Sequence, residues 1–468
     1  MKTKYFSFYL IIFSLFILIV GPFLFSDGMF VDGVVYAAIS KNLANGLGSF
    51  WDLHYTNILY PHFYEHPPLA FGIQSLFFRF FGDSIFVERF YSLITFIITG
   101  WIITRIWKKI TISNLHSLAW LPLLFWISIP LITWSAANNM LENTMMIFTS
   151  LSVLFILKSL DSKRILFLSL SGLMLFLGFL TKGFVALFPL SMLFWIFVFK
   201  RNISVKRLLY DSLLLCVTTI LPLLIIYLVS PDSINSLSEY LNRQIVGSLN
   251  NVQTVNSRFY IIFRLFIELI PAVFIILIIF IFSFKNKNSV KNVKWIFVFL
   301  ALGLSGVIPI IISLKQSGYY ILATFPFFSL AIAYFIAPRV SYLVHKINIK
   351  STGYKIFRTF SWLFLIGSII IIAIQSNQSG YDKDTVAEVS EIIKIVPQNS
   401  TISIQKNLWN DWSLHGYFSR YANISLDDKK QNSHKYFLIN KDGNDSLLME
   451  YQKVSVDLKL FDLYEKIK

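Results

Sequence analysis

The sequence predicts a mainly α, polytopic transmembrane helical bundle carrying a small C-terminal α/β soluble domain. Three observations predict it. First, the 468 residues are 56% hydrophobic and only 14% charged, with 47 Phe and a mean hydropathy of +0.64. A soluble domain carries about 25% charged residues. Such a chain cannot hide its apolar surface in one water-soluble core, so the bilayer must be part of its solvent. Second, apolar runs of near-spanning length recur along the chain, and every second gap between them is basic. Third, after Gln375 the composition turns polar and gathers most of the Asp and Glu.

The first apolar run, 5–25, follows Met-Lys-Thr-Lys and has no small-x-small cleavage site. It reads as an uncleaved transmembrane helix rather than a signal peptide. Further runs follow at 85–107, 115–132, 140–157, 165–180, 184–199, 208–229, 259–284, 295–314, 319–336 and 356–374, about eleven spans in all. The gaps 105–109, 158–164, 200–207, 285–294 and 339–355 are basic, and Lys2 and Lys4 fall on the same side. By the positive-inside rule the N-terminus is cytoplasmic and the C-terminal region lies outside. The net charge of +16 is explained by this placement, so no nucleic-acid partner is expected. The single cysteine, Cys216, sits in an apolar run as a small filler.

Two outer loops stand out, 26–84 and 230–257. Within the first, 68–81 is apolar but short and reads as an interfacial or re-entrant helix, and 34–44 as a helix along the interface. The division expected is a transmembrane module over 1–375 and an extracytoplasmic α/β domain over 376–468. In the latter, 386–393 has helical spacing and 401–405 and 436–440 read as strands.

The charges left over carry the functional signal. Arg89, Lys182, Arg258 and Lys315 lie at outer ends of spans, and Arg243 lies in the second outer loop, where the positive-inside rule disfavours cations. A cluster of cations with Glu88, Glu142 and Glu268 near the same level suits a lipid-linked phosphate. The alternative is that these charges pair among themselves, as Arg264 and Glu268 would one turn apart. Asp32, just past the first span, is an acidic group near lipid that needs a reason. A carboxylate there could deprotonate an acceptor hydroxyl as it attacks an anomeric carbon, while cations steady a departing phosphate.

Asp32-Gly33-Val34-Val35-Tyr36, Glu65-His66-Pro67-Pro68-Leu69 and Leu180-Thr181-Lys182-Gly183, with the weaker match 315–326 around Lys315 and Tyr319, resemble the GT-C glycosyltransferases of the protein O-mannosyltransferase and aminoarabinose transferase branch. The resemblance covers roughly 26–320. It implies an inverting transferase with a polyprenyl-phosphate sugar donor and a lipid, glycan or protein acceptor, acting at the outer face of a bacterial inner membrane. It implies Asp32 as base, Glu65 orienting acceptor or sugar, Tyr36 as the motif's aromatic, and Lys182 approaching the donor phosphate. His66, Arg89, Arg243, Arg258, Lys315 and Tyr319 complete the candidate substrate-binding set. No cofactor is implied, and dependence on a divalent cation is none or weak.

Two departures from the family pattern matter. Its Asp-Glu pair is here Asp32-Gly33, which leaves the second acid vacant or moved to Asp27, although Asp27 could equally be a cap. Its Glu-Lys is here Glu65-His66, so a phosphate contact by His66 would vary with pH. His54, His62 and His66 with Asp52 match no standard metal-ligand spacing. Trp409 and Trp412 read as core residues or as glycan contacts. A transporter or flippase of a lipid-linked saccharide is the competing class. It would place ionisable groups at mid-span, where this chain has few.

Overall fold

The computed structural model describes residues 2–201, 203–247, 253–284, 293–376, 380–429, 433–441, 443 and 446–467. Among these, nine helical stretches are long and apolar enough to cross a bilayer, or ten when one bent pair is counted as a span. The expected eleven differ at two places, each with a physical cause.

The first is the run expected at 115–132. It breaks into Ser113–Ile127 and Pro130–Ala137, inclined at 82° to each other. Pro130 occupies the first turn of the second piece, where its missing N–H costs nothing, and cannot continue the helix before it. The second is Arg164–Lys200, one 37-residue apolar stretch by length. Its helix Arg164–Lys182 ends at Gly183, whose φ of +74° favours glycine. The chain then doubles back, since a Cβ on Gly178 would lie 3.1 Å from Ala186. Arg164 pairs with Asp211, and Phe179 shares a cluster with Ile226, so Arg164–Lys182 and Val205–Val229 run the same way. Two parallel helices in sequence need a return between them. Gly183–Ser191 and Met192–Lys200 supply it, as the separate runs 165–180 and 184–199 anticipate.

The helices divide by what they face. Trp107, Trp126, Phe299 and Phe325 are fully buried at the centre of the bundle. By contrast, Val205–Val229, Tyr260–Phe282 and Thr352–Gln375 leave large apolar side chains exposed along their length, as lipid-facing helices do. At one end of the bundle lie Lys109 with Asp161, and Arg164 and Arg207 with the buried Asp211. Lys200 sits 3.7 Å from the centre of the Trp295 ring at that end as well. These are the expected basic gaps. The part of the gap at 285–292 lies outside the described residues.

The opposite end carries the first loop and the C-terminal sheet. Helix Leu69–Phe81 buries Phe71, Gln74 and Phe78 and exposes Leu76, Phe80 and Phe81, the amphipathic arrangement expected of an interfacial helix. Helix Val31–Ala44 does not present an exposed face to its surroundings. It is buried from Gly33 to Leu43, between Leu69–Phe81 and the C-terminal helix Trp412–Ala422. Its polar side chains donate internally: Ser40 to Gln74, Asn42 to the Tyr55 carbonyl and Lys41 to the Arg420 carbonyl.

The C-terminal sheet has five strands, β1 (Thr401–Ile404), β2 (Ser425–Asp427), β3 (Tyr436–Asn440), β4 (Tyr451–Lys453) and β5 (Phe461–Lys466), in the order β2-β1-β3-β5-β4. β1 is parallel to β2 and β3, and β5 is antiparallel to β3 and β4. Helix Lys383–Ile392 and strands β1 and β3 fall where the sequence pattern places them.

Candidate active site

The first loop is pinned to the corner that follows the bent pair. Phe30 N–H donates to Asn138 Oδ1 at 2.8 Å, and Asn139 Nδ2 donates to the Gly33 carbonyl at 3.0 Å. This fixes Asp32 in the first turn of Val31–Ala44, where the helix dipole favours an anion. A Cβ on Gly33 would collide with the Asn138 carbonyl and lie 2.9 Å from Met29 Sδ. The second acid of the family's pair therefore does not fit here. Asp27 does not replace it: its carboxylate accepts from Tyr421 OH at 2.5 Å and from Gly28 N–H at 2.7 Å, tying the loop to the C-terminal sheet domain.

Burial pushes the Asp32 carboxyl above the usual carboxylate range. The nearby Lys182, hydrogen bonds from Tyr319 and Tyr36, and then Lys315 oppose that shift. Tyr36 follows one helical turn later, and its hydroxyl is 3.2 Å from His66 Nε2. Burial, reinforced by Lys182 and Lys315, holds His66 well below the usual imidazole range. Burial thus favours the neutral imidazole over the cation that a phosphate contact would need.

Lys182 forms an ion pair with the fully buried Glu142, and its ammonium sits 5.5 Å from the centre of the Tyr319 ring and 5.6 Å from that of Tyr320. Glu142 Oε2 has no hydrogen-bond partner among the described residues. Lys315 Nζ donates to Gln244 Oε1 at 2.9 Å. His66, Lys182, Lys315, Tyr240, Gln244 and Tyr320 gather at one part of a cavity of about 560 Å³, whose remaining walls, Phe184, Phe188, Pro309 and Ile310 among them, are apolar. The result is a cationic head on a greasy slot, with Asp32 beside the head. Such a shape can take an anion attached to a hydrocarbon chain.

The sequence-derived candidates separate into those that converge and those that do not. Asp32, Tyr36, His66, Lys182, Lys315 and Tyr319 come together. Glu65 lies close by, accepting from Tyr60 OH at 3.0 Å. Arg89 does not face this cavity: it is buried, and its guanidinium is occupied by the carbonyls of Phe23, Ile85 and Gly28. Arg243 pairs with Glu239 at 3.0 Å at an exposed rim. Arg258 is exposed and donates to the Ile312 carbonyl at 2.6 Å. Arg264 and Glu268 pair one turn apart at 2.5 Å, as the alternative reading held.

The site-residue set chosen from sequence omits Glu142, Tyr320, Tyr240 and Gln244. Glu142 was visible as an acid at the right level, and Tyr320 as the second half of Tyr319-Tyr320. Tyr240 and Gln244 lie in a polar helix with no motif. The histidines of the first loop stay apart: His62 pairs with Asp52 at 2.8 Å, His54 contacts the Pro61 carbonyl at 3.0 Å, and His66 turns inward. Among the described residues no three His, Cys, Asp or Glu converge on one point.

The fold has counterparts among solved structures. ArnT from Cupriavidus metallidurans bound to undecaprenyl phosphate superposes with a TM-score of 0.68 at 12% identity, covering 98% of this chain and 97% of that one. The apo state of the same protein gives 0.65 at 14% identity, with 97% of each chain covered. The Archaeoglobus fulgidus oligosaccharyltransferase in the apo form gives 0.53 at 12% identity, covering 94% of this chain and 70% of that one. The fold is thus shared with these proteins. The family described as dolichyl-phosphate-mannose-protein mannosyltransferase matches residues 65–226. Undecaprenyl phosphate-alpha-4-amino-4-deoxy-L-arabinose arabinosyl transferase of Wigglesworthia glossinidia brevipalpis is 27% identical over 179 residues, 37% of this chain and 31% of that protein. Its counterpart, numbered 1, from Proteus mirabilis (strain HI4320) is 24% identical over 192 residues, 39% of this chain and 33% of that protein. The matched stretch therefore spans about a third of each relative's length. The chain thus shares its fold with ArnT, and part of its sequence with the mannosyltransferase family and the arabinosyl transferases.

Proposed function

We propose that this protein transfers a sugar from a polyprenyl-phosphate donor to an acceptor hydroxyl at the extracytoplasmic face of a bacterial inner membrane. The observation that carries this reading is the placement of Asp32 beside Lys182 and Lys315, at the cationic head of an apolar cavity. The polyprenyl chain lies along the apolar walls, and its phosphate meets Lys182 and Lys315. Asp32 accepts the proton of the incoming hydroxyl. The hydroxyl oxygen bonds to the anomeric carbon, the bond to the phosphate oxygen breaks, and the configuration inverts in this single displacement.

Tyr36 and Tyr319 lie near the Asp32 carboxylate and favour its charged form. Glu65 orients the acceptor or the sugar. The donor class follows the names of the relatives, whose sugar is carried on undecaprenyl phosphate. In this reading residues 1–375 form the transferase module, 376–468 the outer domain, and the N-terminus is cytoplasmic, as the basic end of the bundle supports.

The test is mass spectrometry of envelope lipids and glycoconjugates from cells with and without the gene. The expected result is one glycosyl unit missing from a conjugate and accumulation of its carrier-linked sugar. An unchanged conjugate profile with an unchanged carrier pool would overturn the proposal.

A further inference from the structure

We infer that Trp134 is a positioning residue for Asp32, and that through it the seating of the C-terminal domain on the bundle sets where the base stands. This role presupposes the transferase reading above and adds to it the side chain that holds the base in place.

Trp134 lies in helix Pro130–Ala137, the second piece of the bent pair. It meets three partners drawn from distant parts of the chain. Its ring stacks on that of Tyr319, with centres 6.2 Å apart and planes inclined by 21°. The Phe30 ring meets it edge-on at 5.1 Å and also reaches Tyr319 at 5.9 Å. The indole N–H donates to the Tyr381 hydroxyl at 2.7 Å. Phe30 immediately precedes helix Val31–Ala44, two residues before Asp32. Tyr319 lies near the Asp32 carboxylate and favours its charged form. One side chain thus touches both the entry to the base's helix and a tyrosine beside the base. Aromatic pairs keep to offset-stacked or edge-on geometries, so three rings in mutual contact fix one another's planes.

The third partner, Tyr381, belongs to the segment that leads into the C-terminal domain. That segment is pressed against the first loop: a Cβ on Gly28 would collide with the Tyr381 carbonyl, and one on Gly380 with the Asp27 carbonyl. Tyr417 OH donates to Asp382 Oδ2 at 3.2 Å, and Met29 N–H donates to the same hydroxyl at 3.2 Å. Residues 27–30 are therefore tied both to the C-terminal domain and, through Trp134 and Asn138, to the bundle. A tryptophan that only fills space can give its N–H to any nearby carbonyl. Trp134 gives it instead to a side-chain hydroxyl 247 residues away. The charged and titratable groups that act on Asp32 or feel it include Lys182, Lys315, Tyr36, Tyr319, Tyr320 and Glu142, and substitutions at 134 and 381 leave all of these in the chain.

The experiment is labelling of Asp32 by dicyclohexylcarbodiimide, which reacts with protonated carboxyl groups in apolar surroundings, on the full-length protein in detergent. Peptide mass spectrometry reads the labelled fraction as a function of pH. Changed access scales labelling at every pH alike, whereas changed placement moves the midpoint. Tyr319 favours the carboxylate, so its displacement leaves Asp32 protonated to higher pH. In Trp134→Ala the midpoint should rise by about one pH unit. Trp134→Phe keeps the ring contacts and loses the N–H, so its midpoint should rise by only about 0.3 unit. Tyr381→Phe should match it, and the double variant should go no further than either alone. An unchanged midpoint in Trp134→Ala, or shifts of the two phenylalanine variants that add in the double, would overturn the inference. Where Trp134→Ala does not fold, the absence of a shift in both phenylalanine variants overturns it. Binding of undecaprenyl phosphate is measured on the same preparations. Its failure in the parent marks failure of the transferase reading, whereas a fixed midpoint with that binding intact marks failure of the role of Trp134 alone.

Discussion

Two groups of cations occupy the same end of this molecule, and their surroundings differ. Arg420 is buried and held through all three of its nitrogens: it meets Glu88 at 2.9 and 3.1 Å and Asp83 at 2.6 Å, and lies over the Phe78 ring. Lys41 joins it, contacting Asp83 and the Arg420 carbonyl, each at 2.7 Å. This network clamps helix Trp412–Ala422 onto the first loop and onto helix Val87–Ile110. Lys182 and Lys315 are engaged less completely. Among the described residues each has one hydrogen-bonded side-chain partner, Glu142 or Gln244, and each lines a cavity. The comparison teaches that a cation's position along the chain does not reveal its use. The number of donors already taken does, because a guanidinium whose three nitrogens all donate within the protein keeps little for a substrate.

Breaking each group should give a different phenotype. Arg420→Met leaves Glu88 buried without its partner and should cost about 3–5 kcal/mol. It should appear as a lowered melting temperature and faster proteolysis between 376 and 412. Donor affinity should change little in the protein that remains folded. A melting temperature equal to the parent's would break the comparison.

The cavity side is sharpened by Lys182→Met combined with Glu142→Gln, which removes the pair without stranding a buried carboxylate. Donor affinity should fall about tenfold or more, equivalent to about 1.5–3 kcal/mol for a charge-assisted contact. Titration with undecaprenyl phosphate checks this, and unchanged affinity would remove the phosphate role of Lys182.

A smaller effect is expected in the pH profile. Transfer needs the Asp32 carboxylate, so the rate should fall as pH drops through a value above the ordinary carboxylate range. Tyr319→Phe removes a hydrogen bond that lowers this value, so the acid limb should move to higher pH. A limb that stays in place would detach Tyr319 from Asp32. The smallest effect belongs to Arg258→Ala: its side chain is exposed and contacts a backbone carbonyl, so donor affinity should change by less than about twofold.

Much of the site was legible because its chemistry is local. Asp32 and Tyr36 are one turn apart on one helix, and Glu65-His66-Pro67-Pro68 leads directly into the interfacial helix. Lys182 was legible as a cation at the wrong end of a span. The contrast between Arg89 and Lys182 was not, because both are cations at outer span ends. Only the fold shows that three carbonyls occupy Arg89. Gly33 was read as a missing acid, and its cause, the close approach of the Asn138 carbonyl, is a contact across more than a hundred residues. Burial of Val31–Ala44 was equally hidden, since its cover comes from Trp412–Ala422 near the other end of the chain. Strands β2, β4 and β5 escaped, the first two because three residues are too few for alternation to register.

The most direct measurement is single-turnover transfer by Asp32→Asn, with donor binding determined on the same preparation. The amide keeps the size of the side chain but cannot take a proton. Transfer should fall by about 10²–10⁴-fold while undecaprenyl phosphate still binds. Turnover near that of the parent, with donor bound, would contradict the assignment of Asp32 as the base.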